Sequence, residues 1–340
     1  MSRTLYIHVG PAKTGTTAIQ SAFQDLRDER LAYPETGRWP DGSHNLLTFS
    51  VIGFSDWGDI RIPPSAEIIE DFLAEVSAAP HDCLISSEAL YLPTDYARLL
   101  EEIGPATRGF DEVRPILNLR HPLERIASYY NQHVKDPVHS ETALPDDYLR
   151  ENCDGFFLSH LIRDWLDFAP NIALLSYYPA YSLVRRFCGL IGRPDLAPSS
   201  APKVNRSLGG VALSLLLLAN RNLTDAGLRE AFFQRMQTID GLRLWHGSSF
   251  PFSRKAVEMA LSGALRDDME QLKWERGIDL TRWTMPEAIT LTELECAMVR
   301  NVANEILPPG PDLEADLDTI LAVFGGQGKI KETRKAALQE

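Results

Sequence analysis

Three short stretches of the chain carry residues suited to chemistry on an anion. The first is Gly10-Pro11-Ala-Lys13-Thr14-Gly15-Thr16-Thr17. A glycine-containing turn that opens a helix presents backbone N–H groups without internal partners, and the helix dipole adds partial positive charge there. Lys13 adds a full charge, and three threonines add hydroxyl donors. The second is Ser87-Glu88, a carboxylate that follows the apolar run from Cys83. It is placed either to take a proton, or to cap the next helix or pair with an arginine. The third is Asn118-Leu-Arg120-His-Pro122-Leu-Glu-Arg-Ile-Ala-Ser128-Tyr-Tyr130. A guanidinium is a planar fork that fits phosphate oxygens, and a nearby hydroxyl can share the load. A helix-start arginine in a surface ion pair, with a serine packed on its own helix, fits these residues equally well.

The elements that must position these groups follow from pattern. Leu5 to Val9 is short, apolar and β-branched, hence a strand. After Gly10-Pro11 the pattern turns helical, with Ala18, Ile19, Ala22, Phe23 and Leu26 on one face. Residues 33 to 64 are rich in Gly, Pro, Trp and Asp without sustained periodicity, and read as a long loop region. Ser65 to Ala79 is an amphipathic helix. His81 to Glu88 is a buried strand running out into polar residues, which sets Glu88 beyond a strand end, where ligands sit in open parallel sheets. A short helix near Thr94 to Ile103 precedes the strand Val113 to Leu119. Pro122 suits a first helical position, and Leu123, Ile126, Ala127, Tyr130 and Val134 form the buried stripe, leaving Ser128 off it. Past Pro137 the chain reads as a loop, then as a helix from about Gly155 to Phe168, a strand at Asn171 to Tyr177 and a helix from Tyr181 to Ile191. Four strands alternating with helices, with room for a weaker fifth in the loop region, predict an α/β fold: a parallel sheet flanked by helices. Residues 1–200 form this core, 201–325 a continuous helical cap and 326–340 a frayed tail.

The loop differs informatively from the nucleoside-triphosphate version, GxxxxGK[ST]. Gly10, Gly15 and Thr17 keep its frame, but Thr16 stands where the lysine belongs, and Lys13 lies in the turn instead. The string Pro-x-Lys-Thr-Gly-Thr-Thr resembles the 5′-phosphosulfate loop of sulfotransferases that use 3′-phosphoadenosine 5′-phosphosulfate (PAPS). Arg-x-Pro-x-x-Arg-x-x-Ser-x-Tyr resembles the 3′-phosphate motif of the same superfamily, and the two occur in the family's order, each at a strand-to-helix junction. The resemblance implies a P-loop-like sheet and PAPS as donor without a metal. It assigns Pro11, Lys13, Thr14, Gly15, Thr16 and Thr17 to the 5′ side of the donor and Arg120 and Ser128 to its 3′-phosphate. Ser87-Glu-Ala-Leu-Tyr91 is similar to the strand-end glutamate of glycan-modifying and bacterial members, which makes Glu88 the general base and Lys13 the group that stabilises the leaving phosphate. Bacterial members often carry a histidine near His44, which makes it a candidate for the acceptor pocket, against a loop histidine satisfied by its neighbours. Lys203 and Arg206, in Pro-Lys-Val-Asn-Arg-Ser, are candidates for a basic loop against the 3′-phosphate. The family's Arg-Lys-Gly form is absent, and an ordinary helix entrance accounts for the stretch as well.

Composition narrows the field further. At 44% apolar and 24% charged the chain is that of a globular protein, and a net charge of -13 argues against a nucleic-acid or acidic-membrane surface. An anionic donor must then be held by a few focused cations. No apolar stretch approaches the ~20 residues of a membrane span, and the first strand passes directly into the loop, so neither membrane insertion nor a signal peptide is expected. Cys83, Cys153, Cys188 and Cys296 lack paired spacing and read as reduced thiols of a cytoplasmic protein. The resemblance implies as acceptor a hydroxyl or amine of a glycan or small molecule. Two other functions keep the same loop: a nucleotide kinase, which calls for magnesium and a lysine at position 16, and a nucleotide-binding protein without turnover.

Overall fold

The computed structural model describes residues 2–57, 60–91, 96–198, 207–238 and 247–325. In chain order the elements are β1 (Thr4–Val9), α1 (Thr16–Phe23), β2 (Leu31–Ala32), α2 (Asn45–Ile52), β3 (Asp56–Trp57), β4 (Ile60–Arg61), α3 (Ser65–Ala78), β5 (Asp82–Ser87), α4 (Tyr96–Thr107) and β6 (Glu112–Leu119). They continue with α5 (Pro122–Lys135), α6 (Pro145–Asn152), α7 (Ser159–Phe168), β7 (Ala173–Ser176), α8 (Leu183–Leu190), α9 (Gly210–Asn222) and α10 (Ala226–Thr238). Further helices follow at Arg254–Ala260, Ala264–Arg276, Glu293–Ile306 and Pro311–Phe324. The chain divides into two compact units, Met1–Arg120 with Leu158–Val204, and His121–Phe157 with Asn205–Glu340.

The first unit holds a parallel five-stranded sheet in the order β2-β5-β1-β6-β7. The strand β1 is central and all six of its residues are buried, so its sequence is a continuous apolar run rather than an alternation. Its register fixes the site. Val9 is level with Ser87 of β5 on one side and with Leu117 of β6 on the other. Gly10, Glu88 and the Asn118–Arg120 exit therefore leave the same edge of the sheet. In front of β1, the fully buried Phe187 of α8 packs edge-on against His8 at 5.0 Å and against Phe23 of α1 at 5.7 Å.

The second unit is helical. Nearly all of α9 is buried, from Gly210 to Asn220, because it runs through the middle of a cluster that includes Leu123, Ile126 and Tyr130 of α5 and Val299, Leu317 and Ile320 of the last two helices. Thr292 and Glu295 form a capping box at the start of Glu293–Ile306, and Ser253 caps Arg254–Ala260 by accepting from the Ala256 N–H at 3.2 Å.

Four details depart from the sequence reading. The region 33 to 64 contains the helix α2 and a two-stranded antiparallel ladder, β3 with β4. The helix escaped notice because its buried residues, Leu47 to Val51, run consecutively around the axis and leave no apolar stripe. The fifth strand, Leu31–Ala32, lies just ahead of that region and pairs with β5 at the sheet edge. The helix α6 occupies Pro145–Asn152, within a stretch that reads as loop; eight residues rich in Asp, Asn and Arg show only Pro145, Tyr148 and Leu149 to the core. The helical unit also takes in residues 121–157 rather than beginning near 201, since the buried stripe of α5 belongs to the cluster around α9. The tail 326–340 lies outside the described residues.

Phe187 joins the loop-bearing strand to α1, so truncating it should loosen the loop from behind. Phe187→Ala should cost about 3–5 kcal/mol of stability in denaturant unfolding; a loss below ~1 kcal/mol would mean that the three rings do not form one packed unit.

Candidate functional site

The turn between β1 and α1 is shaped by what its glycines lack. A Cβ on Gly10 would lie 1.7 Å from Thr16 Cγ2, so the loop closes only with no side chain there. Gly15, at φ 86, adopts the left-handed conformation that glycine tolerates, and a Cβ on it would meet Leu183 Cδ2 at 2.4 Å. Lys13 is itself left-handed, at φ 68, an uncommon conformation for a side-chain-bearing residue that the surrounding contacts must hold. Those contacts come from inside the turn and from β6. Thr14 is buried and its hydroxyl donates to Pro11 O at 2.6 Å; Asn118 Nδ2 donates to Thr14 O at 3.4 Å; Arg120 Nη1 donates to Lys13 O at 2.9 Å. The Arg120 guanidinium also lies 4.6 Å from the centroid of the Tyr177 ring, a cation–π contact. Pro11 and Thr16 are buried, Lys13 and Gly15 half-buried and Thr17 exposed.

Glu88 arrives from the neighbouring strand, and one side chain holds the residues on both sides of it. Asn45 Oδ1, at the start of α2, accepts from Ser87 Oγ at 2.7 Å and from the Ala89 N–H at 3.1 Å. Thr48 Oγ1 lies 3.0 Å from the same Ser87 hydroxyl. The Glu88 carboxylate accepts a hydrogen bond from the Thr16 hydroxyl. Burial pushes its carboxyl up to about 7, with Asp41 adding to the rise and the Lys13 ammonium opposing it. Burial lowers Lys13 in turn, against the pull of Glu88 and with the help of Arg120. A carboxyl titrating near neutrality beside a partly desolvated ammonium can accept a proton and stabilise developing negative charge in one place.

Of the residues singled out in the sequence, Pro11 to Thr17, Glu88 and Arg120 therefore meet at one edge of the sheet in the first unit. Ser128 belongs to the second unit, half-buried on α5. Lys203 and Arg206 lie outside the described residues. His44 is 1% exposed, with Nδ1 accepting from the Ser86 N–H at 3.1 Å and Nε2 3.0 Å from Pro34 O. Both ring nitrogens serve the backbone, which is the satisfied-histidine alternative rather than a pocket wall. Asn45, Asn118, Asp41 and His8 escaped the sequence reading. Asn118 had a signal, standing at a strand exit two residues before Arg120. Asn45 had none, because the helix it opens was not legible. His8 is buried beneath the turn, 2.7 Å from Ser86 Oγ through Nδ1. Among the described residues no group of three or more His, Cys, Asp or Glu side chains could hold a metal, no helix is long and apolar enough to cross a membrane, and the four cysteines are free.

Burial lowers both His8 and His44 to about 4, whereas an unfolded histidine titrates near ~6.5. As pH falls from about 6.5, the unfolded chain therefore takes up protons that the folded one refuses, and stability declines until the folded rings titrate near 4. His44→Gln should flatten this slope in unfolding free energies measured from pH 7 to 4; an unchanged slope would place the titration elsewhere.

No protein-family model matches the chain, and no curated protein matches it. It is similar to two solved structures. A sulfotransferase from Alicyclobacillus acidocaldarius is 16% identical over 72% of this chain and 99% of that one, with a TM-score of 0.40. Mouse sulfotransferase SULT7A1 complexed with PAP is 10% identical over 93% of this chain and 88% of that one, with a TM-score of 0.34.

Proposed function

We propose that this chain is a sulfotransferase that moves the sulfuryl group of PAPS to a hydroxyl or amine of a glycan or small-molecule acceptor. The observation that carries the reading is the pairing of Lys13 and Glu88 at one anion-binding turn that has threonine in place of the triphosphate-loop lysine. A kinase needs that lysine and a magnesium ion to manage β- and γ-phosphates. A phosphosulfate has one phosphate to leave and a sulfur to be attacked, so one cation in the turn and a base beside it suffice.

In this reading the acceptor oxygen or nitrogen attacks sulfur in line with the departing 5′-phosphate oxygen. The S–O bond to phosphate breaks, and its electrons stay on the phosphate, giving 3′,5′-adenosine bisphosphate. Glu88 takes the acceptor's proton. Lys13 and the N–H groups from Thr14 to Thr17 offset the charge that grows on the leaving group. Arg120 and Ser128 are assigned by their motif to the 3′-phosphate, and Arg120 has a second duty in bracing the Lys13 carbonyl. The same reading keeps Lys203 and Arg206 as candidates for that phosphate and the protein in the cytoplasm.

Calorimetry with 3′,5′-adenosine bisphosphate, compared with ATP and magnesium, tests the donor. The wild type should bind the bisphosphate without metal, and Arg120→Ala should weaken it roughly 10- to 100-fold, the worth of a charge-assisted hydrogen bond. Preference for ATP with magnesium would turn the reading toward a kinase. Glu88→Gln should keep bisphosphate affinity while its turnover, followed as bisphosphate released from PAPS across a panel of hydroxyl and amine acceptors, drops by ~100- to 10,000-fold. Undiminished turnover would remove Glu88 as the base.

A further inference from the structure

Resting on that reading and deepening it, we infer that Thr16 is the positioning residue for Glu88: its hydroxyl, held in one orientation by the packing of its methyl group into the space left open at Gly10, aims the carboxylate of the base.

Three observations carry this. Thr16 is the first residue of α1, is 1% exposed, and donates its hydroxyl hydrogen to Glu88 Oε1. Its Cγ2 occupies the place where a Cβ of residue 10 would stand, 1.7 Å away. A β-branched side chain has one stiff torsion, so a pinned methyl leaves the hydroxyl one direction, and that direction is Glu88. The backbone around Glu88 is fixed independently by Asn45, which bridges Ser87 Oγ and the Ala89 N–H. Both ends of the hydrogen bond are thus set by the fold before any ligand arrives, as a preorganised base requires.

The charged groups that face the carboxylate are Lys13 from the turn and Asp41 from the segment before α2, with Arg120 from the exit of β6 acting on Lys13. Against this background a neutral donor at position 16 has a definite effect. A hydroxyl that donates to the charged carboxylate favours it, so removing the hydroxyl raises the proton affinity of Glu88. A lysine at the same place would do the opposite and hold the carboxylate ionised but too weakly basic to serve near neutrality. Threonine aims the base without disarming it.

The test is a site-resolved titration of the Glu88 carboxyl carbon by NMR in the full chain without ligand. Thr16→Val preserves the shape that fills the Gly10 space and deletes the hydroxyl; Glu88 should then titrate higher by about one pH unit, the worth of one hydrogen bond to a carboxylate. Thr16→Ser, which keeps the hydroxyl but loses the methyl that orients it, should return only part of that shift. A Thr16→Val titration that matches wild type removes the hydroxyl's role, and a serine variant that titrates as wild type does removes the methyl's; either overturns the inference. Should the valine variant not fold, Thr16→Ala gives the same readout. Because no donor is present, the result is independent of the bisphosphate experiment: failure to bind bisphosphate would sink the proposed reaction, whereas an unmoved Glu88 would sink only the role of Thr16.

Discussion

The level register of β1 with both of its neighbours is the constraint on which the site depends. The backbone hydrogen bonds that set Val9 beside Ser87 and Leu117 decide that a glycine-bearing turn, a carboxylate and a guanidinium emerge together. A slip of one residue along β5 would turn Glu88 to the opposite face of the sheet and bring Ser87 or Ala89 to its place. The slip is costly because β5 is buried from Cys83 onward, and because Asn45 holds the residues on either side of Glu88 to α2. The hydrophobic burial that stabilises the sheet is therefore also what sets the spacing of the polar groups at its edge.

Electrostatics then works on a fixed frame. The chain carries a net charge of -13, so cations able to meet an anion at this edge must be few and close. Lys13 and Arg120 are tied together by the Lys13 carbonyl, which accepts from Arg120, and this bond braces the left-handed backbone at Lys13. Burial, with a smaller push from Arg120, lowers Lys13, which makes its ammonium a better hydrogen-bond donor to a charge that develops nearby.

The turn and its strand were legible in the sequence because they rest on strictly local demands. A buried central strand must be continuously apolar, two glycines must stand where a Cβ cannot, and a helix must follow at once. Glu88 was legible as a strand-end carboxylate, but its environment was not. What pushes it toward neutrality is burial, with Asp41 adding to it and Lys13 opposing it, and no local pattern records that. The helix α2 was illegible because a short helix buried around its circumference has no stripe to read. With it went Asn45, the residue that holds the Glu88 backbone, and the true duty of His44, whose imidazole ties α2 to β5 and to Pro34. A histidine in an apparent loop looks available for chemistry; the same histidine at the start of a buried helix has its nitrogens spent on backbone groups.

The replacement of lysine by threonine at position 16 ties these levels together. A triphosphate loop sends a lysine from the first turn of its helix toward the phosphates, and a carboxylate immediately beside that ammonium would pair with it and stay ionised far below neutrality. In this chain the cation sits three residues earlier, on a left-handed turn residue braced by Arg120, and the helix contributes only a hydroxyl to Glu88. In the proposed reaction, moving the charge off the helix and onto the turn would separate two tasks that one lysine cannot perform together, offsetting charge on a leaving phosphate and leaving the adjacent carboxylate basic enough to accept a proton. Gly10 is the sequence-level condition for that separation, because only an absent side chain admits the threonine methyl that orients the hydroxyl.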